Sequence, residues 1–420
     1  MAQKRDLDYS ARPVAVLAAG SNITTFALAR CFQGTHIPVI ALDTDGAARL
    51  LRSTKLISEV HSLDGLASDP GEALRKLRLL GRGLARGTER RPILFPTEDC
   101  GLRFCADYYR QIKEFFILLG DPTETDISHL ADKGRFFSLM REDESYVPWT
   151  RACEEREQVR SLEGTIPYPV VVKPARKNLD RSFQKTFGAK LVTARSFDSL
   201  NATCDLHFPT GGVVLQGLIE HQDGDEVSWW GYRSRTGKVV GMTARQLRKH
   251  PRMGGTATLV RSEEIRELRN LAESILRKAD FWGMCELEFL PQEKGYKLIE
   301  CNPRPWLQIG LALRAGMNFP MLAYREVEGS FKPEESDFWN AKPQENLYWM
   351  GPEYDLIRCF FSGGKGALPK RLWTWWRDLR RADELGIWDM EEPRAVLERL
   401  LSYPGKIKRN RSLLRRRKER

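Results

Sequence analysis

The chain has no run of about 18 apolar residues, so no stretch of it reads as a membrane-crossing helix. It has no CxxC pair; its 8 cysteines are scattered singly. That excludes a zinc knuckle or a dithiol redox motif and fits a reducing, cytoplasmic compartment. His221 and His250 have no ligand partners at useful spacing, so no histidine metal site is expected. There is no GxGxxG fingerprint, which weakens a nicotinamide-cofactor reading. Nor is there an apolar core before Val14, so the run at 13–19, PVAVLAA, reads as a buried strand rather than a signal peptide. No internal repeat and no nucleic-acid-binding module is visible, and no nucleic-acid partner is expected.

What is present describes a globular protein. The chain has 420 residues, 41% hydrophobic and 29% charged, enough for two or three domains. Its net charge of +11 is concentrated at one end. Residues 406–420, KIKRNRSLLRRRKER, carry nine basic residues and one acidic, leaving only +3 for the rest. Such a tail is either a solvated end or a patch attracted to an anionic surface. Four nearby tryptophans (Trp373, Trp375, Trp376, Trp388) are expected to pack on the main body, the alternative being a membrane-interface patch.

The N-terminal part reads strand, loop, helix, strand. PVAVLAA ends at Gly20-Ser21-Asn22, a helical pattern follows through Phe32, and PVIALD at 38–43 is a second buried strand. That order argues for a parallel α/β unit, with a helix N-terminus suited to a carboxylate or phosphate. Ile93–Phe95 forms a further strand leading to Asp99, which could cap a helix or face a ligand crevice. Asp126 or Ser128 could cap the next helix.

Two segments carry the chemistry. Residues 168–174, YPVVVKP, are a core strand ending in Lys173, whose ammonium needs an anion or solvent. Residues 283–304, GMCELEFLPQEKGYKLIECNPR, form two apolar runs joined by a turn. They carry Glu288, Glu300 and Asn302, with Arg304 just beyond. These are hard oxygen ligands of the kind that hold Mg²⁺ together with substrate phosphates. Either glutamate alone could be a solvent-facing strand residue; the set with Lys173 and Arg304 is harder to explain by structure alone.

VVKP at 171–174, LQGLIE at 215–220, RQLRKHP with GGTAT across 245–258, and ELEF with KLIECNPR across 286–304 resemble the ATP-grasp superfamily of carboxylate–amine ligases. The resemblance covers about residues 12–330 and looks closest to D-aspartate ligase-like enzymes. It implies an α/β chain with an ATP-grasp fold preceded by a parallel α/β domain. It further implies ATP with Mg²⁺, or Mn²⁺, and a reaction joining a carboxylate to an amine or amino acid through an acyl phosphate. Lys133 and Lys173 would contact the nucleotide. Gln216 and Leu218 would line the adenine pocket, with Glu220 near adenine or ribose. Glu288 and Glu300 would hold magnesium and Asn302 a second ion. Arg304 would bind phosphate or orient the acyl phosphate, and Arg245 would be the active-site arginine. Read without the resemblance, Lys133 is a solvated helix lysine and Arg245 could pair with an acidic neighbour.

The expected division is an N-terminal α/β domain at 12–120 and an ATP-grasp domain at 121–330, whose smaller lid part spans about 121–215. A Trp-rich extension at 331–405 and the basic tail at 406–420 follow. One departure from the superfamily stands out: the loop after Lys173, ARKNLDRSFQKTFG at 175–188, has a single glycine, at its end. Arg176, Lys177, Arg181 and Lys185 offer side-chain charge in place of a backbone phosphate cradle, suggesting a basic flap. Two other function classes stay open: a nucleotide-regulated binding protein without turnover, and a bicarbonate-activating, carboxylase-like enzyme. Peripheral contact of the tail with an anionic membrane and the oligomeric state, a dimer included, are likewise open.

Overall fold

The computed structural model describes residues 15–19, 22–44, 46–85, 90–120, 132–140, 146–176, 182–330, 337–361 and 367–402. Gly20, Ser21, Asp126, Ser128, Lys177, Arg181, residues 332–336 of the 332–344 connector and the 406–420 tail lie outside them.

Five parallel strands form the first sheet: β1 (Ala15–Ala19), β2 (Val39–Asp43), β3 (Glu59–Ser62), β4 (Ile93–Pro96) and β5 (Ile117–Leu118). Their order is β3-β2-β1-β4-β5. The continuous apolar runs of β2 and β4 are buried along their whole length, as a sheet covered on both faces requires. Helix Asn22–Cys31 is buried throughout, sandwiched between this sheet and helix Ile309–Arg314. The order switches direction between β1 and β4, so a crevice opens at their C-terminal ends. Asn22 begins the helix after β1, and Thr97, Glu98 and Asp99 follow β4.

The second sheet holds β6 (Thr150–Cys153), β7 (Val170–Pro174), β8 (Val192–Ala194) and β9 (Val213–Gly217) in the antiparallel order β6-β9-β7-β8. The third contains β10 (Val227–Arg233), β11 (Val239–His250), β12 (Thr256–Ser262), β13 (Gly283–Gln292), β14 (Gly295–Asn302) and β15 (Tyr348–Met350). These run antiparallel in the order β14-β13-β10-β11-β12-β15. The β10–β11 hairpin turns at Thr236-Gly237, where Gly237 has φ 89°. Gly231 and Gly241 lie opposite each other on those strands, with the Trp229 indole packed over both. A Cβ at Gly241 would stand 2.3 Å from that ring, so the close approach requires glycine.

The C-terminal extension is stitched into this body rather than appended to it. Its strand β15 completes the third sheet beside β12. Arg248 of β11 grips Asp355 through Nε (2.9 Å) and Nη2 (2.8 Å), and reaches Asp378 through Nη1 (2.5 Å). Both carboxylates are buried, and Thr258 donates a further hydrogen bond to Asp355 (2.6 Å). On the other side, Arg30 of helix Asn22–Cys31 pairs with Glu384 at 2.9 Å. Of the four neighbouring tryptophans, Trp375 and Trp388 are partly buried as expected, whereas Trp373 and Trp376 are exposed.

Arg248→Ala leaves two buried carboxylates without their shared cation and should cost about 3–5 kcal/mol, the range for breaking a buried pair on one side. Urea unfolding monitored by tryptophan fluorescence measures this.

Candidate active site

A cleft of about 580 Å³ lies where the three sheets meet, lined by side chains from each. On the second sheet, Lys173 stands at the end of β7 and Gln216 on the adjacent β9. Lys173 Nζ donates to Gln216 Oε1 at 2.9 Å and to the Ile299 carbonyl at 3.2 Å. The register of β13 and β14 shifts after Glu288, pairing Phe289 with Leu298 and leaving Ile299 out of the ladder. The bulge thereby aims that carbonyl at the lysine. Burial, and then Lys133 beside it, lower the Lys173 ammonium to about 8, against the pull of Glu300 and Glu288. An anionic ligand beside it would raise it again. Lys133, at the start of helix Lys133–Met140, reaches Glu300 across the cleft at 2.5 Å.

The floor is a carboxylate ladder. Glu288 faces Glu300, and Glu286 faces Asn302, on the paired strands β13 and β14. Asn302 Nδ2 donates to Glu286 Oε2 and Glu288 Oε1, each at 3.2 Å. Trp230 Nε1 donates to Glu286 Oε1 at 3.0 Å. Burial raises the Glu286 carboxyl despite that bond. Glu288 is pushed well above the usual carboxylate range by burial, then by Glu226, Glu300 and Glu286. Among the described residues no group of three or more His, Cys, Asp or Glu side chains is arranged to hold a metal ion by itself. Glu288 and Glu300 nevertheless fit a partial ligand set: a divalent cation would relieve their opposition, and phosphate oxygens would complete its shell.

Arg304 closes the far side. Its Nε donates to Asp99 Oδ1 at 2.7 Å and its Nη2 to Asn302 Oδ1 at 3.4 Å. Burial works against its charge, but Asp99 and then Glu286 and Glu300 hold its pKa above the ordinary value. Asp99 is the first residue of helix Asp99–Asp107, whose N-cap position is held by Glu98, and its carboxylate anchors the arginine between the first and third sheets.

Lys133, Lys173, Gln216, Leu218, Glu288, Glu300, Asn302 and Arg304 all line this one cleft. Two expected residues do not. Glu220 is exposed beyond β9 and outside the lining. Arg245 is also outside it, paired with Glu263 at 2.6 Å and donating to the Gly224 carbonyl at 2.9 Å. Alternation on β11 turns Arg245 away from the face that carries Gln246 into the cleft. The cation that β11 does supply is Lys249, whose Nζ contacts both Glu226 oxygens at 2.8 and 2.6 Å. Burial pulls the Lys249 ammonium down, and Glu226 outweighs it, so the net shift is upward. Glu226, Lys249 and Glu286 were not singled out from sequence. Glu286 carried a usable signal, lying two residues before Glu288 on the same face of β13. Of the flap cations, Arg176 lines the cleft and pairs with Asp132 (2.5 Å), while Lys185 is exposed.

No protein-family profile and no curated protein matches the chain. Solved structures do. A Campylobacter jejuni biotin carboxylase in complex with β,γ-ATP aligns with TM-score 0.58 and 15% identity, over 80% of this chain and 74% of that one. N5-carboxyaminoimidazole synthetase from Staphylococcus aureus, complexed with ADP, aligns with TM-score 0.57 and 14% identity over 77% and 79%. N5-carboxyaminoimidazole ribonucleotide synthetase from Thermus thermophilus aligns with TM-score 0.56 and 17% identity over 90% and 100%.

Lys249→Ala strips the buried Glu226 of its cation and should cost about 3–5 kcal/mol, whereas Arg245→Ala, at a more exposed pair, should cost less. Urea unfolding of both variants measures the difference. The chain has the ATP-grasp fold, preceded by a parallel α/β unit.

Proposed function

We propose that the protein is an ATP-dependent ligase that activates a carboxylate as an acyl phosphate and joins it to an amine. The observation that carries this reading is the convergence, in one cleft, of Lys133 and Lys173 with Glu288, Glu300, Asn302 and Arg304. Phosphoryl transfer needs positioned cations where charge builds on the equatorial oxygens. Lys173 and Lys133 would bind the phosphates from the lid side, with Gln216 and Leu218 beside the base. Glu288, Glu300 and Asn302 would hold magnesium, which neutralises phosphate charge when bound. Arg304, braced by Asp99, would orient the carboxylate next to the γ-phosphate.

In the first step a carboxylate oxygen forms a bond to the γ-phosphorus and ADP leaves. In the second the amine nitrogen bonds to the acyl carbon, the bond from that carbon to the bridging oxygen breaks, phosphate leaves with that oxygen and the bond's electron pair, and the nitrogen loses a proton. The domain division at 120 and 330 belongs to this reading, with the second sheet as lid over the third. An amino-acid amine, as in D-aspartate ligase-like enzymes, is the finer form of the proposal. Bicarbonate as the carboxylate is the second reading, favoured by the fold's likeness to a biotin carboxylase and to N5-carboxyaminoimidazole synthetases.

ADP release measured across a matrix of amino acids, peptides and bicarbonate, followed by product mass, separates these readings. Amine-dependent release with an organic carboxylate supports the ligase; release that requires bicarbonate supports the second; nucleotide binding with neither defeats both. Glu288→Gln should lower turnover at least about 100-fold, on the scale of losing one transition-state stabilising group. It should keep the far-UV circular dichroism of the parent, and full activity in that variant would sink the metal assignment.

A further inference from the structure

We infer that helix Leu368–Arg381 is a docking surface for an anionic lipid bilayer. The helix lies outside the cleft, so the inference does not depend on the catalytic reading. Its sequence, LPKRLWTWWRDLRR, has five basic residues and one acidic residue, Asp378. Asp378 is buried and turned inward to Arg248. Trp375 also turns inward, donating to the Pro352 carbonyl at 2.9 Å.

The outward face is different. Lys370, Trp373, Trp376 and Arg380 follow helical spacing and fall on one side, with Arg377 beside them paired to Asp378 at 3.1 Å. Trp373 is 61% exposed and Trp376 41%. Their rings lie 5.1 Å apart, and the Arg380 guanidinium sits 4.9 Å over Trp376. Two large aromatics in water are unfavourable unless something covers them. Tryptophan bordered by lysine and arginine suits the level of lipid headgroups, where the ring is partly apolar and the cations meet phosphate.

Charge decides among occupants. A two-fold contact between copies of this chain would set the same cations against each other. An anionic bilayer complements them, each nearby cation adding attraction. The sequence adds a second basic element, the +8 of residues 406–420, following a helix (Pro393–Leu401) that exposes Leu397, Leu400 and Leu401. Among the described residues no helix is long and apolar enough to cross a membrane, so the contact is peripheral.

Flotation of the full chain with phosphatidylglycerol-containing vesicles, against pure phosphatidylcholine vesicles, tests this. The full chain should float with the anionic vesicles alone at about 0.15 M salt and be released at about 1 M, where the Debye length shrinks roughly threefold. Trp373→Ala/Trp376→Ala should weaken the binding at least about tenfold, and Lys370→Glu/Arg380→Glu likewise, with unchanged thermal unfolding because all four side chains are exposed. The proposal is overturned if the full chain binds neither vesicle, or if both double variants float like the parent. It is also overturned if the tryptophan variant instead abolishes self-association seen by light scattering, which would make the face an interface between copies.

Discussion

The cleft depends on one pairing, that of β13 with β14. Its register puts Glu288 opposite Glu300 and Glu286 opposite Asn302, bringing three carboxyl groups onto the floor. Such a cluster opposes its own ionisation: burial and mutual repulsion raise both Glu286 and Glu288. The surrounding cations answer it. Lys133 reaches Glu300, Lys249 neutralises the nearby Glu226, and Arg304 sits beside Asn302 with Asp99 behind it. The same strand pair supplies the Ile299 carbonyl that steadies Lys173. An acidic floor ringed by cations suits a polyphosphate carried by divalent metal, since the ligand supplies the missing charges of both signs.

The C-terminal extension contributes to the same cleft. Tyr354 and Arg399 from its helices line the cleft. They stand on elements held by the buried Arg248–Asp355–Asp378 group and by the Arg399–Glu353 pair at 2.7 Å. Arg248 stands on β11, so these ion pairs tie the wall to the strand that also brings Gln246 and Lys249 to the cleft. The outward helix Leu368–Arg381 is fastened through the same Asp378, so the cleft wall and the exposed tryptophan face share one anchor.

Much of this was legible in the chain. β1, β2, β4 and β7 were visible as short continuous apolar runs, because strands buried on both faces leave that pattern. The ligand strands were visible as two apolar runs joined by a turn. Helix Arg266–Lys278 carries its mark in the chain as well: its buried Leu268, Ala272, Ile275 and Leu276 recur at helical intervals. Arg245 was expected at the site, and the structure turns it out of the cleft and puts Lys249 into the lining. Strand alternation and irregular pairing between Gln246 and Lys249 set the face of each side chain.

By itself the sequence determined the element types and the chemical inventory: apolar runs, a lysine ending a core strand, and oxygen ligands spaced for one strand pair. These are local properties, governed by periodicity and by the cost of burying an unpaired charge. Only the tertiary structure decided which residues share the cleft. Glu226 with Lys249, Asp99 with Arg304, and Arg248 with Asp355 and Asp378 lie between 23 and 205 positions apart in the chain. Sheet order and register bring them together, and a one-residue change in register would turn each strand side chain to the opposite face.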